Sequence, residues 1–166
     1  VTRSVLAMCE NIDFNVGRVM ERLNDLDLTN DTIFVYLSDN GPNGFRWNGG
    51  MRGKKGSTDE GGVRSPCSIT WPGGIEPNKT VPQIAGAIDL LPTRVDLAGI
   101  PNRSKTSIDG ISLEPVLKGS DLAFPDRRIY SQSADGKITG VRTQDYRAGG
   151  HAEGLFHMGR DRGQYH

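Results

Sequence analysis

Val5, Met8 or Cys9, Ile12, Val16, Val19 or Met20, and Leu23 recur at three- and four-residue steps. This is the stripe of an amphipathic helix over about residues 3 to 25, with Glu10, Asn15, Arg18, Glu21 and Arg22 largely on its other faces. After a connection from Asn24 to Asp31, "TIFVYL" (Thr32 to Leu37) runs apolar and β-rich without alternation. Such a run predicts a strand covered on both faces, hence a parallel sheet in an α/β fold. It stops abruptly at Ser38-Asp39-Asn40-Gly41.

From Gly41 to Gly62 there is little hydrophobic content and much glycine, which predicts a long loop lying on the surface; loops of this length are usually functional or disordered. "PCSITW" (Pro66 to Trp71) predicts a second short strand, closed by the Pro72-Gly73-Gly74 turn. "DLLPTRVDLAG" (Asp89 to Gly99) predicts a helix, with Asp89 able to cap, Pro92 in the first turn and Gly99 at the C-terminal end. After Pro101 the pattern changes. The runs "RRIYS", "KITGVRT", "DYRAGG" and "GLFHM" are spaced by Gly, Asp and Ser, as in a small antiparallel sheet, with a short helical turn around Leu113 to Leu117 before them.

Composition narrows the function classes. Lys plus Arg and Asp plus Glu are 20 each in 166 residues, so no overall field draws the chain to nucleic acid or an anionic membrane. Apolar residues make up 35%, alongside 22 Gly and 9 Pro, a balance of turns and loops rather than of a helical bundle. No segment approaches the roughly 18 apolar residues of a membrane span, and no signal peptide opens the chain. Because the first residue is Val1 and a helical pattern begins at once, the chain is expected to be cut from something longer or processed. Cys9 and Cys67 belong to no C-x-x-C pair, so each is expected to be a small core residue rather than a zinc or redox ligand. Sequons at Asn30, Asn78 and Asn102, against about one expected by chance, point towards secretion in a eukaryote.

Candidate chemistry concentrates in two stretches. Asp39 and Asn40 fall at the carboxyl end of the predicted strand, where open parallel sheets bind ligands. One charged and one neutral oxygen donor suit Ca²⁺ or Mg²⁺; an Asx-Gly turn is the alternative. "RGKKGSTDEGGVR" (Arg52 to Arg64) sets Arg52, Lys54, Lys55 and Arg64 among glycines, which let backbone approach an anion that the cations attract. No G-x-x-x-x-G-K-[ST] phosphate loop occurs in any register. A solvated basic loop is the alternative reading.

Taken in order, "SDNG", "RGKKGSTDEGGVRSP", "WPGGI", "DLLPT…LAG" and "DGISLEPVLKG" resemble the C-terminal part of the sulfatase family, the arylsulfatase-like members of the alkaline phosphatase superfamily. The helix with "AMCENIDFNVGRV" and the tail "VRTQDYRAGGHAEGLFHM" fit the same pattern. The resemblance implies a portion of an alkaline-phosphatase-like parallel or mixed sheet flanked by helices, over residues 1–100. Linking loops and a small C-terminal antiparallel subdomain would follow over 101–166. It further implies that Asp39 and Asn40 are ligands of a divalent cation, usually Ca²⁺ with Mg²⁺ possible, and that Lys55 touches the sulfate oxygens. Arg52 could reach the anion but is expected to be structural, and Glu60, Gly61, Gly62 and Arg64 are expected to hold the loop. The tail departs from the pattern, with His157 and Arg162 where relatives have an acid and a proline.

The family's formylglycine nucleophile comes from a C/S-x-P-x-R motif that is absent here, since Cys9 precedes Glu-Asn-Ile and Cys67 precedes Ser-Ile-Thr. His151, His157 and His166 all lie near the end, in what the resemblance makes peripheral sheet and tail. The expectation is therefore a sulfatase fragment, inactive alone, whose parent cleaves a sulfated small molecule or carbohydrate and is periplasmic, secreted or lysosomal. Its partners would be the missing N-terminal part or a second copy, with no nucleic acid and no membrane span. A phosphate or phosphonate monoester hydrolase of the superfamily, or a noncatalytic module binding an anion or a partner, are the alternatives.

Overall fold

The computed structural model describes residues 2–101, 103, 105–120, 124–151 and 153–165. The sequon at Asn102, and with it His166, lies outside the described residues. The chain divides into two compact units, Val1–Phe34 with Ile69–Lys79, and Val35–Ser68 with Thr80–His166.

In the first unit, α1 spans Thr2–Asp25, matching the predicted stripe in extent. Only part of that stripe is covered: Val5, Val16 and Leu23 are half-buried, while Met8, Ile12, Val19 and Met20 are exposed. A 3-10 turn, Thr29–Asp31, follows. Its Asn30 carbonyl accepts a hydrogen bond from Trp71 Nε1 at 2.7 Å, and Gly73 packs so closely on the same oxygen that a Cβ there would sit 2.3 Å away.

β1 (Phe34–Leu37) and β2 (Cys67–Thr70) are neighbours in a two-stranded sheet. The expected cover on both faces is not found. Phe34 and Val35 are half-buried, but Tyr36 and Leu37 are exposed, because a two-stranded sheet supplies few side chains to pack against. Cys9 and Cys67 are likewise exposed free thiols rather than core residues.

The second unit holds the predicted antiparallel sheet. β3 (Ile129–Gln132), β4 (Thr139–Arg142), β5 (Tyr146–Gly149) and β6 (Leu155–His157) lie in the order β3-β4-β5-β6. The register pairs Val141 with Ala148 and Arg147 with Phe156. One position after β4, β5 and β6 start, Gly140, Arg147 and Phe156 are buried, so a charged guanidinium occupies the covered face beside the Phe156 and Met158 cluster. His157 stacks edge-on with Tyr146 at 5.1 Å.

α3 (Leu90–Leu97) and α4 (Glu114–Leu117) are neighbours, and Leu97, Leu113, Val116 and Leu117 are buried. Gly99, at φ +64°, closes α3 as the sequence suggests. Asp89 does not cap α3 with its side chain. It is wholly buried, and its carboxylate accepts from the Gly86 and Ile111 N–H groups and from Arg127 at 2.8 Å. Thr93 continues the tie, donating to the Asp89 carbonyl and accepting from the Leu113 N–H. A buried carboxylate is tolerable only with such partners.

The loop from Gly41 to Gly62 is not wholly superficial. Thr58 to Gly62 are buried and end in a one-turn helix, α2 (Glu60–Val63).

Candidate functional site

Everything in the site belongs to the second unit. Ser38, one residue past β1, is clamped by its N–H to the Pro66 carbonyl and by its own carbonyl to Ser65 Oγ at 2.6 Å. Its hydroxyl donates to the Asn40 carbonyl. The Gly41 N–H then donates to the Gly62 carbonyl at 2.9 Å, and the Lys55 N–H to the Pro42 carbonyl at 3.0 Å. The Ser38–Pro42 turn is thus gripped from both ends of the basic stretch. Asp39 is exposed and Asn40 half-buried. Among the described residues no hydrogen bond or ion pair engages either side chain, so both keep their oxygens available.

Glycine is required here by crowding. A Cβ on Gly41 would lie 1.8 Å from the Gly61 carbonyl oxygen, and one on Gly61 2.7 Å from the carbonyl oxygens of both Arg52 and Gly53. Non-bonded atoms do not approach so closely without displacement. The E-G-G run interlocks with the turn bearing Asp39 and Asn40.

The cations divide by role. Lys54 Nζ lies over the Phe45 ring, 4.3 Å from its centroid, a favourable use of a quadrupole. Lys55 is exposed, and no described partner engages its ammonium. Arg52 points its Nε at the Asp59 carboxylate, 3.7 Å away, and its carbonyl accepts from the Gly61 N–H. Arg52 is thus occupied with holding the loop.

Asp59 and Glu60 explain why the loop holds its form. The Asp59 carboxylate, 3% exposed, accepts from Ser57 Oγ and from the His151 N–H at 3.0 Å. Glu60 is ringed by guanidinium groups: Arg64 at 3.3 Å, Arg142 at 3.3 Å and Arg147 at 3.5 Å. Its N–H donates to Gln164 Oε1, and the Arg52 N–H reaches the Arg162 carbonyl. Burial is the main influence on Arg147 and pulls its pKa below the ordinary value, with Glu60 and then Asp59 opposing it. Arg142, Arg147 and His151 lie within the family-like tail, but no motif ties them, Arg162 or Gln164 to this loop. The signal that could find them is the adjacent acidic pair Asp59-Glu60, which needs cations and donors once buried.

The sulfatase family profile matches residues 1–100. The chain belongs to the sulfatase family. It is 36% identical over 154 residues to human arylsulfatase A, covering 88% of this chain and 30% of the relative. It thus spans less than a third of that relative's length. Among solved structures, the PsFucS1 sulfatase from Pseudoalteromonas sp. superposes with a TM-score of 0.79 at 22% identity, covering 94% of this chain and 36% of the other. BT4656, crystallised with its substrate D-glucosamine-2-N,6-O-disulfate, superposes at 0.63 with 25% identity, over 90% of this chain and 32% of the other. The expected α/β portion and small antiparallel sheet agree with these sulfatase structures.

The sulfatase resemblance implied a divalent cation, and the donors fit one in kind. A carboxylate and an amide oxygen without partners among the described residues suit a hard cation, and Asn40 would add a ligand without adding charge. In number they fall short. Ca²⁺ takes about six to eight oxygens, and among the described residues no cluster of three or more His, Cys, Asp or Glu side chains comes together. No described helix is long and apolar enough to cross a membrane.

Proposed function

We propose that this chain supplies part of the cation- and anion-holding machinery of a hydrolase of sulfate monoesters. One observation carries the reading: the turn bearing Asp39 and Asn40 is clasped by the backbone of the stretch that presents the unengaged Lys55. The residues that bear a carboxylate, an amide and an ammonium are thereby tied by their backbone into one hydrogen-bonded loop. Relatives named for sulfate-ester cleavage, such as arylsulfatase A, support the substrate class.

In this reading Asp39 and Asn40 hold the cation, Ca²⁺ or Mg²⁺, which when bound supplies positive charge against the nonbridging sulfate oxygens. Lys55 donates N–H bonds to those oxygens and stabilises the charge that grows as the ester bond breaks. Arg52, Asp59 and Glu60 orient the loop and touch no substrate. Neither Cys9 nor Cys67 lies in a sequence suited to become the formylglycine nucleophile, so that group is assigned to an upstream segment. This chain by itself is expected not to turn over. Periplasmic, secreted or lysosomal location and association with the remaining portion follow from the same reading.

Calorimetry with Ca²⁺ and with sulfate on Asp39→Ala and Lys55→Ala variants tests the site. Asp39→Ala should weaken Ca²⁺, and Lys55→Ala should weaken sulfate; unchanged binding in both would refute the assignment. Metal-dependent aryl-sulfate hydrolysis by this chain alone would overturn the nucleophile assignment. In a full-length form, preference for phosphate or phosphonate monoesters would move the activity to the superfamily's other hydrolases. Anion binding with no hydrolysis of either would leave a noncatalytic module.

A further inference from the structure

Lys55 stands at the corner of a tight turn. The Ser57 N–H donates to the Lys54 carbonyl at 2.9 Å, and Gly56 has φ +89°, the positive value that a type II turn requires at its third residue. The direction in which the Lys55 side chain leaves the loop therefore depends on how firmly Ser57 closes that turn.

Three groups surround the Ser57 hydroxyl. Asp59 Oδ2 lies at 2.9 Å, the Asp59 backbone nitrogen at 3.0 Å and His151 Nδ1 at 3.4 Å. A hydroxyl has one hydrogen to donate and two lone pairs with which to accept. The Asp59 N–H takes one lone pair. The hydrogen goes to the carboxylate, which is both the charged acceptor and the nearer one. Only the second lone pair is left to face His151, so the set is complete when Nδ1 carries a proton. A bare Nδ1 would turn its own lone pair on that of Ser57, with Asp59 Oδ2 only 3.9 Å away. The main chain delivers the ring to this place. The His151 N–H donates to Asp59 Oδ1 at 3.0 Å, and a Cβ on Gly150 would lie 2.7 Å from the same oxygen.

We propose that His151 is a positioning residue for Lys55: a proton on its Nδ1, donated to Ser57 Oγ, locks the turn that aims the Lys55 ammonium at the sulfate oxygens. This inference rests on the sulfatase reading of Lys55. The ring acts through Ser57, 94 residues away in sequence, and not on the ester itself. Asp59, which also receives Arg52 at 3.7 Å, keeps the Ser57 hydrogen turned away from the ring and so selects a donor rather than an acceptor at Nδ1.

Two measurements on the full chain test this. Long-range ¹H–¹⁵N NMR at neutral and mildly alkaline pH, with His151→Leu to assign the ring, should show a proton on His151 Nδ1. Calorimetry with inorganic sulfate should show His151→Leu, which keeps the backbone N–H, binding about tenfold more weakly, the scale of one lost hydrogen bond. His151→Asn carries an amide N–H as far from Cβ as Nδ1 is, and should bind sulfate nearly as the wild type does. His151→Gln places its N–H one bond further out and should resemble His151→Leu. Ca²⁺ binding should hold in all three. A bare Nδ1, unchanged sulfate binding in His151→Leu, or a His151→Asn variant no better than His151→Leu overturns the proposal. So does a parallel loss of Ca²⁺ binding, which would report a collapsed loop rather than a misaimed lysine. Unchanged sulfate binding in Lys55→Ala would sink the sulfate site and the aiming role with it, while a protonated Nδ1 would still uphold the tie to Ser57.

Discussion

Arg147 and Glu60 meet at 3.5 Å with side chains only 1% and 4% exposed. This ion pair joins the covered face of the C-terminal sheet to the helical turn that backs the candidate site. Arg147 Nε and Nη2 are also buried without a hydrogen-bond partner among the described residues, so the guanidinium depends heavily on Glu60 and Asp59.

Removing one member of such a pair strands the other. Arg147→Met should cost about 3–5 kcal/mol by leaving Glu60 with less compensation in the interior. The double variant Arg147→Met with Glu60→Gln should recover part of that loss. Urea unfolding midpoints report both, and an Arg147→Met midpoint equal to wild type would contradict the buried-pair account.

Two glycine-to-alanine changes should act in opposite directions. Gly41→Ala forces a Cβ to within 1.8 Å of the Gly61 carbonyl oxygen and should destabilise by about 1–3 kcal/mol, as overpacking does. Gly17, inside α1, has nothing within 4 Å of the point where an alanine methyl would stand. Gly17→Ala should stabilise by about 0.5–1 kcal/mol. Thermal melts of the two variants decide the matter, and shifts of the same sign would contradict it.

Calcium should stabilise the fold by mass action. At a free concentration 100 times Kd the gain is about 2.7 kcal/mol, visible as a rise in Tm that EDTA reverses. Asp39→Asn keeps the size of the side chain but removes its charge, and should abolish most of that rise. A Ca²⁺-dependent shift that survives Asp39→Asn places the ion elsewhere.

Asp135 makes the β3–β4 turn sensitive to acid. Its carboxylate accepts from Ser133 Oγ at 2.6 Å and from the Lys137 N–H; chiefly the Ser133 bond holds its pKa below the ordinary 3.8. A carboxyl with a lowered folded pKa favours the fold above its unfolded value. That contribution is lost as pH falls through the lower, folded value. Carboxyl ¹³C shifts should therefore place the Asp135 midpoint below 3.8, and Ser133→Ala should bring it back up.

The elements were legible where a local pattern determines them. The α1 stripe, the run from Thr32 to Leu37 and the four spaced β runs after Asp126 each became the predicted element within a few residues. Burial was less legible, because it depends on what packs against an element. Tyr36, Leu37, Cys9 and Cys67 read as interior residues from their chemistry and lie exposed. The side chain of Asp89 looked like a cap and is instead bound to Arg127, 38 residues away in sequence. For the candidate site, Asp39, Asn40 and Lys55 stood out through order and spacing of motifs, whereas His151 and Arg147 join it only through contacts 92 and 87 residues apart. No window of sequence contains both ends of such a contact.

The interlock around Glu60 bears on how this polypeptide can be divided. The family match ends at residue 100, which invites trimming there for expression or for grafting the loop onto another scaffold. Such a cut would keep Glu60 and Arg64 but discard Arg142, Arg147, His151 and Gln164, so the transplanted loop would arrive without the wall it leans on.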